Sequence, residues 1–159
     1  MMTTARILLV VAALSSGLFA GLLMTLIAFF HGGLRDLTAP RFALVMQRFL
    51  GVARTHPLHY GLVIVSLLAP VAALVLLRGS AGDPAFILTL LGLAAFVAGP
   101  VLVSRFSVEP LYDVFLGWNA DSPPQEWREA RDRYFRLNVI RGLGSGAAFV
   151  LLLAGLALA

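Results

Sequence analysis

Apolar positions along the chain gather into four long runs separated by short polar stretches. They cover Arg6 to Phe30, Leu58 to Leu77, Ala85 to Phe106 and Val139 to Leu158. About 20 apolar residues in a helix cross a hydrocarbon core of ~30 Å, so each run predicts a membrane span. A signal peptide has a shorter apolar core and a small-residue cleavage site, so the first run reads as a retained span. Ala13, Gly17 and Gly21 recur every four residues in it, which predicts one face open to close helix packing. Pro70 and Pro100 fall inside spans two and three, where neighbouring helices can satisfy the freed carbonyls.

Between spans one and two, Phe42, Val45, Met46, Phe49 and Ala53 share one helical face, with Arg41, Gln47 and Arg48 off it. This predicts a short amphipathic helix at the membrane interface, with Thr38 as its N-cap. Before the last span, Ser122 precedes two prolines and Gln125, the pattern of a capping box. A helix starting near Pro123 and ending at Leu158 is ~54 Å long at 1.5 Å per residue. Several of its first turns must therefore project from the lipid. The predicted fold is all-α: one transmembrane domain, residues 1–159, built as an up-down four-helix bundle with a short interfacial amphipathic helix between spans one and two.

Composition agrees. The chain is 60% hydrophobic and 13% charged, against about 45–50% and about 25% in soluble domains. There is no cysteine, which excludes disulfides and thiolate chemistry. All twelve basic residues are arginine, a usage that points to a bacterial genome; for a chain with four spans the expected location is then the bacterial inner membrane. Arg6 and Arg78 fall on one side of the predicted bundle; Arg35, Arg41, Arg48, Arg54, Arg105, Arg128, Arg131, Arg133, Arg136 and Arg141 fall on the other. The positive-inside rule puts the second set in the cytoplasm. A net charge of +4 distributed in this way is no nucleic-acid signal; the lipid bilayer is the expected partner.

The arginines of the last helix divide by face. Trp127, Arg131, Tyr134, Asn138, Arg141 and Ser145 are spaced 4, 3, 4, 3 and 4 apart, one stripe along a helix. Glu129 with Arg133, Arg128 with Asp132, and Asp132 with Arg136 form i,i+4 pairs of a solvated face. Arg131 and Arg141 have no acid three or four residues away. One reading makes them headgroup anchors. The other turns them inward, where a guanidinium needs a partner. Glu109 and Asp113, in the preceding connector, supply candidates: Glu109–Arg141 and Asp113–Arg131.

His56 and His59 stand three apart at the mouth of span two, and His31 ends span one on the same side. They read as interface polar residues, a proton carrier, or imidazoles suited to a metal or haem. Gly142 and Gly146 in "GLGSG" follow no strand, so the pair reads as a helix-packing spacing rather than a phosphate loop.

The segment "EWREARDRYFRLNVIRG" resembles the anthrone oxygenase-like family of small four-span membrane proteins. There a Trp-x-x-x-Arg-x-Arg-Trp/Tyr pattern followed by Asn-x-x-Arg precedes the last span; the matching positions are Trp127, Arg131, Arg133, Tyr134, Asn138 and Arg141. "EPLYDVFLGW" resembles the family's Pro-Leu-Asn-Asp segment, with Tyr112 in place of the Asn. Leu137 and Val139 replace the aromatic residue and histidine that often flank the Asn of Asn-x-x-Arg. "GLFAGLLMT" and "MQRF" fit the general pattern. The resemblance implies an oxidoreductase that needs no cofactor, converting an apolar aromatic or quinone-like molecule at the arginine-rich end. Such chemistry asks for a base, a cation for the oxyanion, and a dry pocket. Arg131, Tyr134, Asn138, Arg141, Glu109 and Asp113 are the candidate catalytic residues; Trp127, Tyr112, His56 and His59 are the candidate substrate contacts. The alternative is a non-catalytic small subunit, its small-residue faces serving membrane-protein partners or a second copy of the chain.

Overall fold

The computed structural model describes residues 2–159, Met2 by its backbone alone. Seven α-helices follow in order: α1 Met2–Thr25, α2 His31–Arg35, α3 Ala39–Ala53, α4 Pro57–Leu77, α5 Pro84–Phe96, α6 Glu109–Leu116 and α7 Trp127–Leu158. No strand occurs among the described residues. A π-helical turn at Leu26–Phe30 joins α1 to α2, and wide turns at Val97–Leu102 and Ser104–Val108 join α5 to α6. The result is four rods, Thr3–Arg35, Pro57–Ser80, Pro84–Leu116 and Trp127–Leu158, each long and apolar enough to cross a membrane. In the bundle α1 packs on α4 and α7, α5 packs on α7, and α4 closes the ring on α5.

Several boundaries differ from expectation. The first rod runs on through His31 to Arg35. Span three does not end at Phe106; its helix continues through Glu109 and Asp113 to Leu116. The last helix starts at Trp127, not near Pro123. A residue before proline is disfavoured in α conformation, so the Pro123-Pro124 pair holds Ser122 and Pro123 out of the helix. Asn119 organises this turn instead, its Oδ1 accepting from Asp121 N at 3.0 Å. α4 begins one residue before the predicted span, at Pro57, with His56 Nδ1 accepting from Leu58 N at 3.3 Å.

Packing along the bundle is close because small residues meet. A Cβ added to Gly99 or Gly144 would lie 2.7 Å from the other's Cα. One added to Gly17 would lie 2.9 Å from Phe149, and one on Gly142 2.8 Å from Ile27. Gly21 and Gly146 face open space. In the first spacing Ala13 is buried and Gly17 makes a close contact, while Gly21 does not; in the second, Gly142 makes the contact and Gly146 does not.

Three of the rods have 32 or 33 residues, ~50 Å at 1.5 Å per residue, which exceeds a ~30 Å core. Beyond the bundle, at the arginine-rich end, their extra turns and α3 form a separate aromatic core. Phe42, Met46 and Leu50 of α3 are buried there with Val108, Phe115, Trp127 and Tyr134. The Phe42 ring centroid lies 5.7 Å from Phe115 and 5.5 Å from Trp127. Gln47 fastens α3 to the end of α6, its Nε2 donating to Trp118 O at 2.8 Å. The buried face of α3 is Phe42, Ala43, Met46 and Leu50; Val45, Phe49 and Ala53 of the predicted face are only partly covered. Thr38 stands at the N-cap in extended conformation, and its side chain makes no capping hydrogen bond.

Candidate functional site

The stripe read from the sequence is the inward face of α7. Trp127, Tyr134, Asn138, Arg141 and Ser145 are buried, and only Arg131 keeps part of its surface. The aromatic core holds the first members. Arg128 and Arg131 place their guanidinium carbons 4.9 and 5.2 Å from the Trp127 ring centroid. Such stacking lets an arginine cover an aromatic face without losing its charge. Arg131 also donates from Nη1 to Arg35 O at 2.9 Å and pairs with Asp132 at 3.0 Å.

Further along, Arg141 is 3% exposed. Its Nη1 donates to Asn138 Oδ1 at 2.9 Å, and Asn138 Nδ2 lies 3.3 Å from His31 Nε2. The His31 ring stacks on Phe135 at 4.1 Å. Arg141 Nε and Tyr134 Oη are buried without a hydrogen-bond partner. Among the described residues, no carboxylate comes within ion-pair distance of Arg141.

The predicted pairings are not those the fold makes. Asp113 bonds Arg54, Nη1 to Oδ1, at 2.7 Å, and Glu109 meets Arg105 at 3.3 Å. Both acids sit on the continuous third rod, so Glu109 takes the arginine one turn before it, and Asp113 faces the end of α3. The i,i+4 pairs expected on α7 do not close either; Asp132 is drawn to its neighbour Arg131.

Arg141 forms part of the wall of a cavity of about 750 Å³ at this end of the bundle. The cavity lies between the end of α1, the end of α3, the start of α4 and the third rod. Leu22, Leu23, Leu26, Phe29, Phe30, Phe49, Val52, Leu58 and Val108 supply the apolar wall. The polar groups are Arg141, His59, His56, Glu109, Tyr112, Ser104, Arg54 and Tyr60. Two π-helical turns, Leu26–Phe30 and Ser104–Val108, border it. Such turns widen a helix locally and recur at functional sites. His59 packs against Phe19, ring centroids 5.3 Å apart. Tyr60 Oη donates to Arg54 O at 2.6 Å, and Ser104 Oγ donates to Pro100 O.

Of the ten residues proposed from sequence, the cavity gathers Arg141, Glu109, Tyr112, His56 and His59. Asn138 and Tyr134 stand behind it, the first bonded to Arg141 and the second packed on Tyr112 at 6.1 Å. Trp127, Arg131 and Asp113 lie elsewhere, in the aromatic core and its rim. The three histidines do not meet: His31 contacts α7, while His56 and His59 face the cavity. Among the described residues, no three His, Asp or Glu side chains come together as a metal site. Arg54 and Ser104 are cavity residues that the sequence reading missed. Arg54 had a legible signal, two positions before His56 at the end of the amphipathic helix; Ser104 had none.

Comparison with protein-family models, with curated proteins and with solved structures finds no match to this chain.

Proposed function

We propose that this chain binds an apolar aromatic or quinone-like molecule through an ionisable oxygen and acts on it as an oxidoreductase within the bundle. One observation carries this reading: a buried guanidinium on the wall of a largely apolar cavity, with no carboxylate among the described residues to neutralise it. Burying an unpaired charge costs several kcal/mol, and an anionic oxygen at Arg141 would offset that cost. The volume is in the range of small-molecule sites, about 300–1,000 Å³.

The chemistry follows from the groups at the wall. His59 takes a proton from the bound molecule, and Arg141 holds the oxyanion that forms, with Asn138 fixing the guanidinium from behind. Phe19 keeps the imidazole ring in place. Glu109 is tied to Arg105 and serves less well as a base. In the reaction implied by the family resemblance, dioxygen then oxidises the anion. A ring methylene becomes a carbonyl, one oxygen atom enters the product, and the other leaves as water.

In the same reading the arginine-rich end faces the cytoplasm, as the arginine bias favours even with the site residue Arg141 left out of the count. α3 lies at that interface, with exposed Arg41 and Arg48 toward the headgroups.

The test is oxygen uptake by proteoliposomes supplied with anthrone. Arg141→Gln should lower turnover on the order of 10²–10³-fold, as loss of an oxyanion donor does. His59→Gln should lower it on the order of 10²–10⁴-fold, as loss of a general base does. Unchanged turnover in Arg141→Gln would reject the site. No turnover in the unaltered protein would return the chain to the reading as a non-catalytic subunit.

A further inference from the structure

A second opening lies outside the cavity, on the surface where the end of the first rod meets α7. It is a groove of about 660 Å³ lined by Ile27, Ala28, His31, Arg35, Arg136 and Ile140, among others. Its two walls carry the same gradient. Along the first rod, Ile27 and Ala28 give way to His31 and then Arg35, ~12 Å from Ile27 at 1.5 Å per residue. Along the antiparallel α7, Ile140 and Val139 give way to Arg136. The apolar end of the groove therefore points toward the middle of the bundle and both guanidinium groups toward its arginine-rich end.

Its charge is one-sided. Arg35 and Arg136 are exposed, and among the described residues neither is in an ion pair. Among the described residues no carboxylate lines the groove. Asp36 follows Arg35 but lies outside it, and Asp132, one turn before Arg136, is taken by Arg131 at 3.0 Å. His31 presents a ring fixed by Phe135 and Asn138.

We propose that this groove is a binding site for an anionic phospholipid of the arginine-side leaflet. The headgroup phosphate sits between Arg35 and Arg136, and an acyl chain runs along Ile27, Ala28 and Ile140. Paired cations above an apolar trough match an amphiphile in both charge and direction, which neither a free anion nor a zwitterionic lipid does. The site rests on the four rods crossing a bilayer and is independent of any reaction in the cavity.

The experiment is native mass spectrometry of the protein released from bilayers of equal phosphatidylglycerol and phosphatidylcholine. The unaltered chain should retain phosphatidylglycerol in preference. Arg35→Gln with Arg136→Gln should reduce that preference roughly thirtyfold, from the usual attraction of two basic residues to an anionic lipid surface. Arg78→Gln, an exposed arginine at the opposite end of the bundle and outside the groove, should leave it unchanged. Ile140→Trp, which keeps both arginines and fills the apolar trough, should also reduce retention, and serves if the double variant does not fold. Equal retention of the two lipids, or a preference that survives both the double variant and Ile140→Trp, would overturn the proposal. So would displacement of the lipid by inorganic phosphate alone, which would make the site a simple anion site.

Discussion

Arg141 donates to Asn138 across 2.9 Å, one turn earlier on the same helix, and among the described residues no carboxylate shares the burden of its charge. Because Asn138 accepts through Oδ1, its Nδ2 must donate, and His31 Nε2, 3.3 Å away, must accept. His31 is then neutral, with its proton on Nδ1. The asparagine thus ties the first rod to the last and fixes the guanidinium that walls the cavity.

Replacing this asparagine should expose the cost of the charge. Asn138→Leu keeps the volume but leaves Arg141 Nη1 without its acceptor, which should lower stability by about 1–3 kcal/mol or more. Adding Arg141→Met in the same chain should recover most of the loss, since a well-packed apolar side chain often matches or improves on a buried charge. Thermal unfolding in detergent micelles reads both; no recovery in the double variant would show that Asn138 serves something other than the guanidinium.

Helix contact at Gly99 and Gly144 should be intolerant of a methyl group. Each added Cβ would meet backbone at 2.7 Å, so Gly99→Ala and Gly144→Ala should cost about 1–3 kcal/mol as overpacking does. Gly146→Ala meets nothing and should stay within about 0.5 kcal/mol of the unaltered chain. Equal stability of all three variants would mean that the third and fourth rods are not this close.

Truncation in the aromatic core should release α3. Phe42 is fully buried between Phe115 and Trp127, and Phe42→Ala should cost about 3–5 kcal/mol. Limited proteolysis should then cut within 36–56 before the bundle unfolds. Cleavage confined to the unaltered protein's own sites would argue that α3 is held by other means.

Asp113 should be energetically coupled to Arg54 and not to Arg131. Arg54 is half-buried and Asp113 exposed, so a double-mutant cycle with Arg54→Gln and Asp113→Asn should give about 0.2–1 kcal/mol. The cycle with Arg131→Gln should give none. The reverse result would restore the pairing first expected from the sequence.

The four spans were legible because an apolar run of this length has few alternatives to a membrane helix. The stripe along α7 was legible for the same kind of reason, because its spacing follows the helix period. Whether it faces inward stayed open in the sequence, and burial of Tyr134, Asn138 and Arg141 decides it. Partners were not legible. Asp113 was assigned to Arg131 on depth alone, whereas the choice depends on how the helix through Ser104–Val108 turns Asp113 toward α3. The capping-box pattern alone points to a start near Pro123, but Pro124 disfavours α conformation at Pro123, and the helix starts at Trp127. The cavity itself was beyond reach from sequence. It forms where Leu26–Phe30 and Ser104–Val108 widen, and the sequence carries no evident signal for either turn.

The central claim is that Arg141 holds an ionised oxygen of an apolar ligand, and a binding comparison tests it most directly. Isothermal titration of the detergent-solubilised protein with 2-hydroxy-1,4-naphthoquinone and with its methyl ether separates charge from shape. The unaltered chain should bind the ionised hydroxyl form at least about tenfold more tightly, the ratio that 1.4 kcal/mol gives, and Arg141→Gln should bind both alike. Equal affinities in the unaltered chain, or a preference that persists in Arg141→Gln, would contradict the account.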